Sequence, residues 1–194
     1  MPEAPETIAF TSDQIESTVS RLAGEISGWV NGKGITRLHL ISVLEGARSF
    51  TRDLLPKLQK LTPGTRIKTH EIRINGTDGT RLLDRREELG QGLSLEKLRD
   101  FPVLIVDDLA DSGKTLSHLK GRVFSFGISE VKTAVLIRKF CEESGEVDFL
   151  GFDLRLNRAE LEGKGLKDLW LYGYGMDLDG QKRELGHIGW IEIK

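Results

Sequence analysis

Cysteine occurs once, at position 141, in a chain of 194 residues. One thiol excludes an internal disulfide framework and fits a reducing compartment. An excess of positive charge is missing too. The chain carries 28 Lys and Arg against 30 Asp and Glu, a formal net charge of −2, so it offers no basic footprint for nucleic acid. No apolar run approaches the length that spans a bilayer. The opening Met-Pro-Glu-Ala-Pro-Glu is polar and acidic, unlike a signal peptide. The expectation is cytoplasmic residence with no membrane contact. The four histidines, His39, His70, His118 and His187, show no metal-ligand spacing, which argues against a zinc site.

What is present suits one domain. Apolar residues make up 38% and charged residues 30%, ordinary for a globular protein, and this length buries a substantial core. Residues 1–10 read as a loose arm. Thr11-Ser-Asp-Gln14 has capping-box spacing, and Ile15, Val19, Leu22, Ile26 and Trp29 then form one face of a helix. Strands are expected over Leu38–Leu44, Arg66–Ile74, Val103–Val106, Val131–Arg138 and Val147–Leu154, with a helix over Phe50–Leu61. Short strands at Leu171–Tyr174 and Ile188–Ile193 close the chain. Strands alternating with helices predict an α/β fold, a single-domain doubly wound parallel sheet over residues 1–194. Residues 75–100 are polar and aperiodic, which reads as a functional or mobile loop.

The most informative stretch is Val103-Leu-Ile-Val-Asp107-Asp108-Leu-Ala-Asp111-Ser112-Gly113-Lys114-Thr115-Leu116. A buried parallel strand ends in two carboxylates, and a short turn leads into a helix. Ligands of open α/β sheets bind at the carboxyl ends of strands. The turn offers successive backbone N–H groups, two hydroxyls and a helix N-terminus, which suit a phosphate. The carboxylates suit hydroxyl groups or a cation. A ligand with a sugar diol and a phosphate fits both. A Walker A loop also ends in Gly-Lys-Thr, but needs Gly where this chain has Asp108, and Asp111 would repel a triphosphate.

This segment resembles the phosphoribosyl-diphosphate (PRPP) motif of the type I phosphoribosyltransferases. The resemblance runs nearly end to end and points to the hypoxanthine-guanine branch: Ser42-Val-Leu44-Glu45-Gly46-Ala47 looks like its first active-site loop, Val131–Lys139 like the strand carrying a purine-reading lysine, Gly173–Asp177 and Arg183–Ile188 like its closing blocks. It implies that fold, with a small hood from the chain termini, and transfer of a phosphoribosyl group from PRPP to a 6-oxopurine, releasing diphosphate. By position, Asp107 and Asp108 would hold the ribose hydroxyls and Ser112, Gly113, Lys114 and Thr115 the 5′-phosphate. Leu44, Glu45, Gly46 and Arg183 would face the diphosphate. Asp111 would be the general base or proton shuttle at purine N7. Lys139 would donate to the 6-oxo oxygen and Trp170 would stack on the base, with Leu171 and Asp177 beside it. The implied cofactor is Mg2+, near Asp107, Asp108 and Asp177. The implied assembly is a homodimer or homotetramer.

Three departures stand out. Glu45 occupies a position where the family usually has Lys, and a carboxylate there opposes diphosphate binding. Arg48 sits on the other side of that turn. The Leu44–Glu45 bond corresponds to one that is often cis in the family. Gly76-Thr77 replaces the Ser-Tyr pair of the mobile loop. Residues 155–168 are a polar insertion just before the stacking aromatic, placed to cap the base pocket or extend a subunit interface. Two other readings stay open: a regulatory PRPP- or nucleotide-binding member of the same fold, and a phosphoribosyltransferase for another base.

Overall fold

The structure is a computed structural model and describes residues 7–73, 98–111, 113–128, 130–140 and 146–194. In chain order its elements are β1 (Thr7–Phe10), α1 (Ser12–Gly32), β2 (Arg37–Leu44), α2 (Ala47–Leu61), β3 (Arg66–Arg73), β4 (Val103–Ala110), α3 (Lys114–Ser125), β5 (Val131–Phe140), β6 (Phe149–Leu156), α4 (Arg158–Gly163), β7 (Asp168–Tyr172) and β8 (Ile188–Ile193). Most of the expected loop over 75–100, with Gly76-Thr77, lies outside the described residues, as do Ser112 and Cys141.

Five strands form a parallel sheet in the order β3-β2-β4-β5-β6, the doubly wound sheet expected from the sequence. The alternation of side chains along each strand divides the core in two. Leu38, Leu40, Leu104, Val106, Ala134 and Leu136 face α1 and α2. Ile41, Val43, Val103, Ile105, Val131 and Val135 face α3, where Leu116, Leu119 and Val123 meet them. Helices cover both faces, so the strands read as continuous apolar runs.

The capping box forms as its spacing demands: Gln14 N–H donates to Thr11 Oγ1, and Thr11 N–H donates to Gln14 Oε1. Such caps stabilise a helix by about 1 kcal/mol. The arm reading of residues 1–10 needs correcting, because Thr7–Phe10 pairs antiparallel with β8. With β7 these strands make a second, three-stranded antiparallel sheet, the hood built from the chain termini. β4 runs past its two carboxylates to Ala110, and β7 begins at Asp168 rather than Leu171. The polar insertion contains α4. Its Leu161, with Leu166, packs on Phe140 at the end of β5, and the Arg158 guanidinium lies 4.1 Å from the centre of that ring. Among the described residues no helix is long and apolar enough to cross a membrane.

Candidate active site

The cleft lies at the carboxyl ends of β2, β4 and β5, between the large sheet and the hood, and encloses about 310 Å³. Three segments of the large sheet reach it. The loop after β2 contributes Glu45 and Gly46, β4 and its following turn contribute Asp108, Leu109 and Asp111, and β5 contributes Lys139. The hood supplies Asp168, Trp170 and Leu171 from β7, and Met176, Asp177 and Arg183 beyond it.

Successive residues of a strand face opposite ways, and that separates the acidic pair. Asp108 lines the cleft, whereas Asp107 is 6% exposed and accepts the Asp108 N–H at 3.0 Å. Burial, then the neighbouring Asp108 charge, holds the Asp107 carboxyl well above the ordinary carboxylate range. Burial also raises Asp108, opposed by its contact with Asp107 and by the positive charge of Arg183. Two crowded carboxylates of this kind suit hydroxyl donors or a cation.

Lys139 is a buried cation, 3% exposed, held by two carboxylates. Its ammonium is 2.6 Å from Asp168 Oδ1 and 3.6 Å from Asp111 Oδ1. The second distance is beyond a hydrogen bond. The Asp111 Oδ1 atom is itself buried and has no hydrogen-bond partner among the described residues. An ammonium with donors to spare thus sits beside an acceptor that lacks a donor.

Trp170 is unusually exposed for its type, at 45%, yet its orientation is fixed: the indole N–H donates to the Asp177 carbonyl at 2.9 Å. Asp177 is in turn fixed by Arg183, whose Nη2 lies 2.6 Å from Oδ1, and by the Gly180 N–H, which donates to Oδ2 at 2.9 Å. A broad aromatic face is therefore presented to the cleft next to an anchored guanidinium.

The Leu44–Glu45 peptide is cis. Glu45 forms ion pairs with Arg73, at the end of β3, and with Arg48 at 3.3 Å. Arg48 thus reaches Glu45 across the turn, and a second arginine joins it from a neighbouring strand. The local charge of the loop is positive despite the carboxylate. The turn after β4 adjoins the cleft along the chain. Gly113 caps α3 at φ 66°, a conformation glycine adopts without strain. Among the described residues no side chain caps α3, which leaves its first N–H groups for an anion.

The cleft thus gathers Glu45, Gly46, Asp108 and Asp111 with Lys139, Trp170, Leu171, Asp177 and Arg183. Asp107, Leu44, Gly113, Lys114 and Thr115 are not part of this lining, and Ser112 is outside the described residues. Leu109, Met176 and above all Asp168 were not singled out by the sequence. Asp168 closed a charged insertion, and its period-two spacing from Trp170 was the signal that could have found it.

The family model for the phosphoribosyl transferase domain matches residues 11–148. The hypoxanthine-guanine phosphoribosyltransferase of Dictyostelium discoideum is 27% identical over 186 residues, spanning 94% of this chain and 93% of that protein. That of Mycobacterium tuberculosis is 26% identical over 194 residues, spanning 96% of this chain and 86% of its own. Among solved structures, the hypoxanthine phosphoribosyltransferase of Trypanosoma cruzi superposes with a TM-score of 0.75 at 26% identity, covering 97% of this chain and 98% of the other. The same enzyme in complex with its product IMP gives 0.73 at 27% identity, covering 97% and 95%. The chain belongs to the phosphoribosyltransferase family, as a type I member resembling the hypoxanthine-guanine enzymes.

Proposed function

We propose that this phosphoribosyltransferase transfers the phosphoribosyl group of PRPP to a 6-oxopurine, giving the nucleoside monophosphate and diphosphate. The observation that carries the reading is the buried, partnerless Oδ1 of Asp111 in a cleft that also holds Lys139 and the exposed Trp170 face. Such an acceptor suits a ring N–H of a base lying on the indole.

In this reading the bond from C1′ to the diphosphate breaks and a bond from C1′ to a purine nitrogen forms. The displaced proton leaves N7 for Asp111. Lys139 donates to the 6-oxo oxygen, and Trp170 covers one face of the base. Asp108, backed by Asp107, accepts from the ribose hydroxyls. The start of α3 receives the 5′-phosphate through its backbone N–H groups. Arg183 faces the diphosphate, where charge develops in the transition state.

A divalent cation fits this donor set. Among the described residues no three His, Cys, Asp or Glu side chains converge as a cage. Mg2+ does not require one: it keeps waters and binds through one or two carboxylates plus substrate oxygens. The crowded Asp107–Asp108 pair supplies carboxylates, and Asp177 keeps lone pairs beyond its bonds to Arg183 and Gly180. When bound, Mg2+ would neutralise the diphosphate leaving group.

The test is a panel of hypoxanthine, guanine, xanthine, adenine and uracil with PRPP and Mg2+, followed by diphosphate release. Turnover confined to the 6-oxopurines is expected. Binding of PRPP without turnover of any base would favour a regulatory role, and turnover of uracil or adenine alone would assign another base.

A further inference from the structure

Three charged groups meet in the cleft, and the cation pairs with both carboxylates. Lys139 Nζ lies 2.6 Å from Asp168 Oδ1 and 3.6 Å from Asp111 Oδ1, and all three residues line the cavity. The proposed mechanism uses Asp111 and Lys139 and leaves Asp168 unexplained. Pairing a buried ammonium needs one good carboxylate, so the question is what a second one does facing the ligand.

Asp168 is not used up by its protein contacts. Its Oδ1 takes the Lys139 ammonium and the Leu169 N–H, the latter at 2.8 Å. Among the described residues no hydrogen bond reaches Oδ2. The residue is two positions before Trp170 in β7, so the two side chains project from the same face of that strand. A base lying on the indole therefore has Asp168 within its neighbourhood.

The order of groups then matters. Around the edge of a 6-oxopurine the polar atoms run N7–H, O6, N1–H: donor, acceptor, donor. The protein offers Asp111, Lys139 and Asp168, with the ammonium as the shared partner of the two carboxylates: acceptor, donor, acceptor. Resting on the 6-oxopurine reading above, we infer that Asp168 is a specificity-determining residue whose free oxygen accepts the N1–H of the lactam edge, while its other oxygen fixes Lys139 on O6. Adenine reverses two of the three positions. Its exocyclic amine meets the ammonium, and its bare N1 meets the carboxylate. A site built to hydrogen-bond a group discriminates strongly against an analogue that lacks it.

The surroundings explain how this carboxylate is held. The α4 insertion packs Leu161 and Leu166 on Phe140, the residue after Lys139, and the chain then enters β7 at Asp168. Helix α4 thereby packs behind both members of the pair from outside the cleft, and of residues 155–168 Asp168 alone lines it.

Two measurements test the inference. The first needs no variant: kcat/KM of the unaltered protein is compared for hypoxanthine and 1-methylhypoxanthine, which keeps O6 and N7 but has no N1–H. Rejection of the methylated base by at least tenfold is expected, and equal use overturns the inference. The second is Asp168→Asn. An amide can accept from Lys139 while turning its N–H donors to the base, so the adenine-to-hypoxanthine ratio of kcat/KM is expected to rise at least tenfold, with KM for PRPP unchanged. A purely structural role for Asp168 predicts a fall for both bases at constant ratio, and that result overturns the inference. Failure of the parent reading looks different, since the unaltered protein would then turn over no 6-oxopurine at all.

Discussion

Gly46 and Asp108 stand so close that no side chain fits between them. A Cβ on Gly46 would lie 2.0 Å from Asp108 Oδ2, and a Cβ on Gly175 would lie 2.2 Å from the Gly46 carbonyl oxygen. The backbone of the first loop thus meets the carboxylate at the end of β4 and the backbone of the hood. Gly46→Ala must displace the Asp108 carboxylate, and a misplacement of about 1 Å in a positioned site costs on the order of 10²-fold in rate. Steady-state kinetics should show that loss mainly as a raised KM for PRPP, with the KM for the base far less affected. Wild-type kinetics in the variant would mean that Asp108 does not position PRPP.

Asp111→Asn removes the basic, proton-accepting carboxylate but keeps the size of the side chain. Turnover should fall by roughly 10²–10⁴-fold, the usual contribution of a positioned acid–base group. PRPP binding, measured directly by calorimetry, should change much less because Asp107 and Asp108 remain. Undiminished turnover would remove Asp111 from the proton transfer.

The elements that sequence reasoning located are those with a local signature. The apolar runs of β2, β4 and β5 announce buried strands, Thr11 and Gln14 announce a helix start, and the acidic pair before Gly113 announces a ligand site. What stayed hidden depends on contacts distant in the chain. Thr7–Phe10 is too short to show alternation, and becomes a strand only because β8 lies beside it. The pairing of Glu45 with Arg73 joins two neighbouring strands. Asp168 sits in a charged stretch, and its period-two spacing from Trp170 points to the cleft only once β7 is known to begin there.

The histidine pair at the sheet edge gives the fold a pH dependence. His39 Nδ1 lies 2.8 Å from His70 Nε2, with the rings stacked, so a single proton serves the contact. Burial, then the charges of His70, Lys68 and Arg37, lowers the pKa of His39 from 6.5 to about 4. His70 is lowered as well, by burial and Lys68. The unfolded chain therefore takes up a proton between pH 6.5 and about 4 that the folded protein refuses at His39. The stability contributed by the neutral ring is complete above pH 6.5 and is lost as pH falls towards 4. Urea midpoints of the unaltered protein should fall over that window, and His39→Phe should flatten the curve. Parallel curves for the two proteins would exclude His39 as the source.

Glu45 offers the clearest electrostatic test of the diphosphate end of the cleft. Its side chain is 31% exposed, and its partners Arg48 and Arg73 are 56% and 64% exposed. Ion pairs this open to water contribute about 0–1 kcal/mol each, so Glu45→Gln should leave the melting temperature nearly unchanged. The charge change acts on the ligand instead. With Glu45 present the three side chains sum to one positive charge, and with Gln they sum to two. At separations of several ångströms in a water-like dielectric, one unit charge on another amounts to about 0.5–1 kcal/mol. KM for PRPP should therefore fall by about two- to fivefold at low ionic strength, and the gain should shrink as salt screens it. KM for the base should not move. A rise in the KM for PRPP would show that Glu45 serves the site by holding the two arginines in place, and that their geometry outweighs the charge it adds.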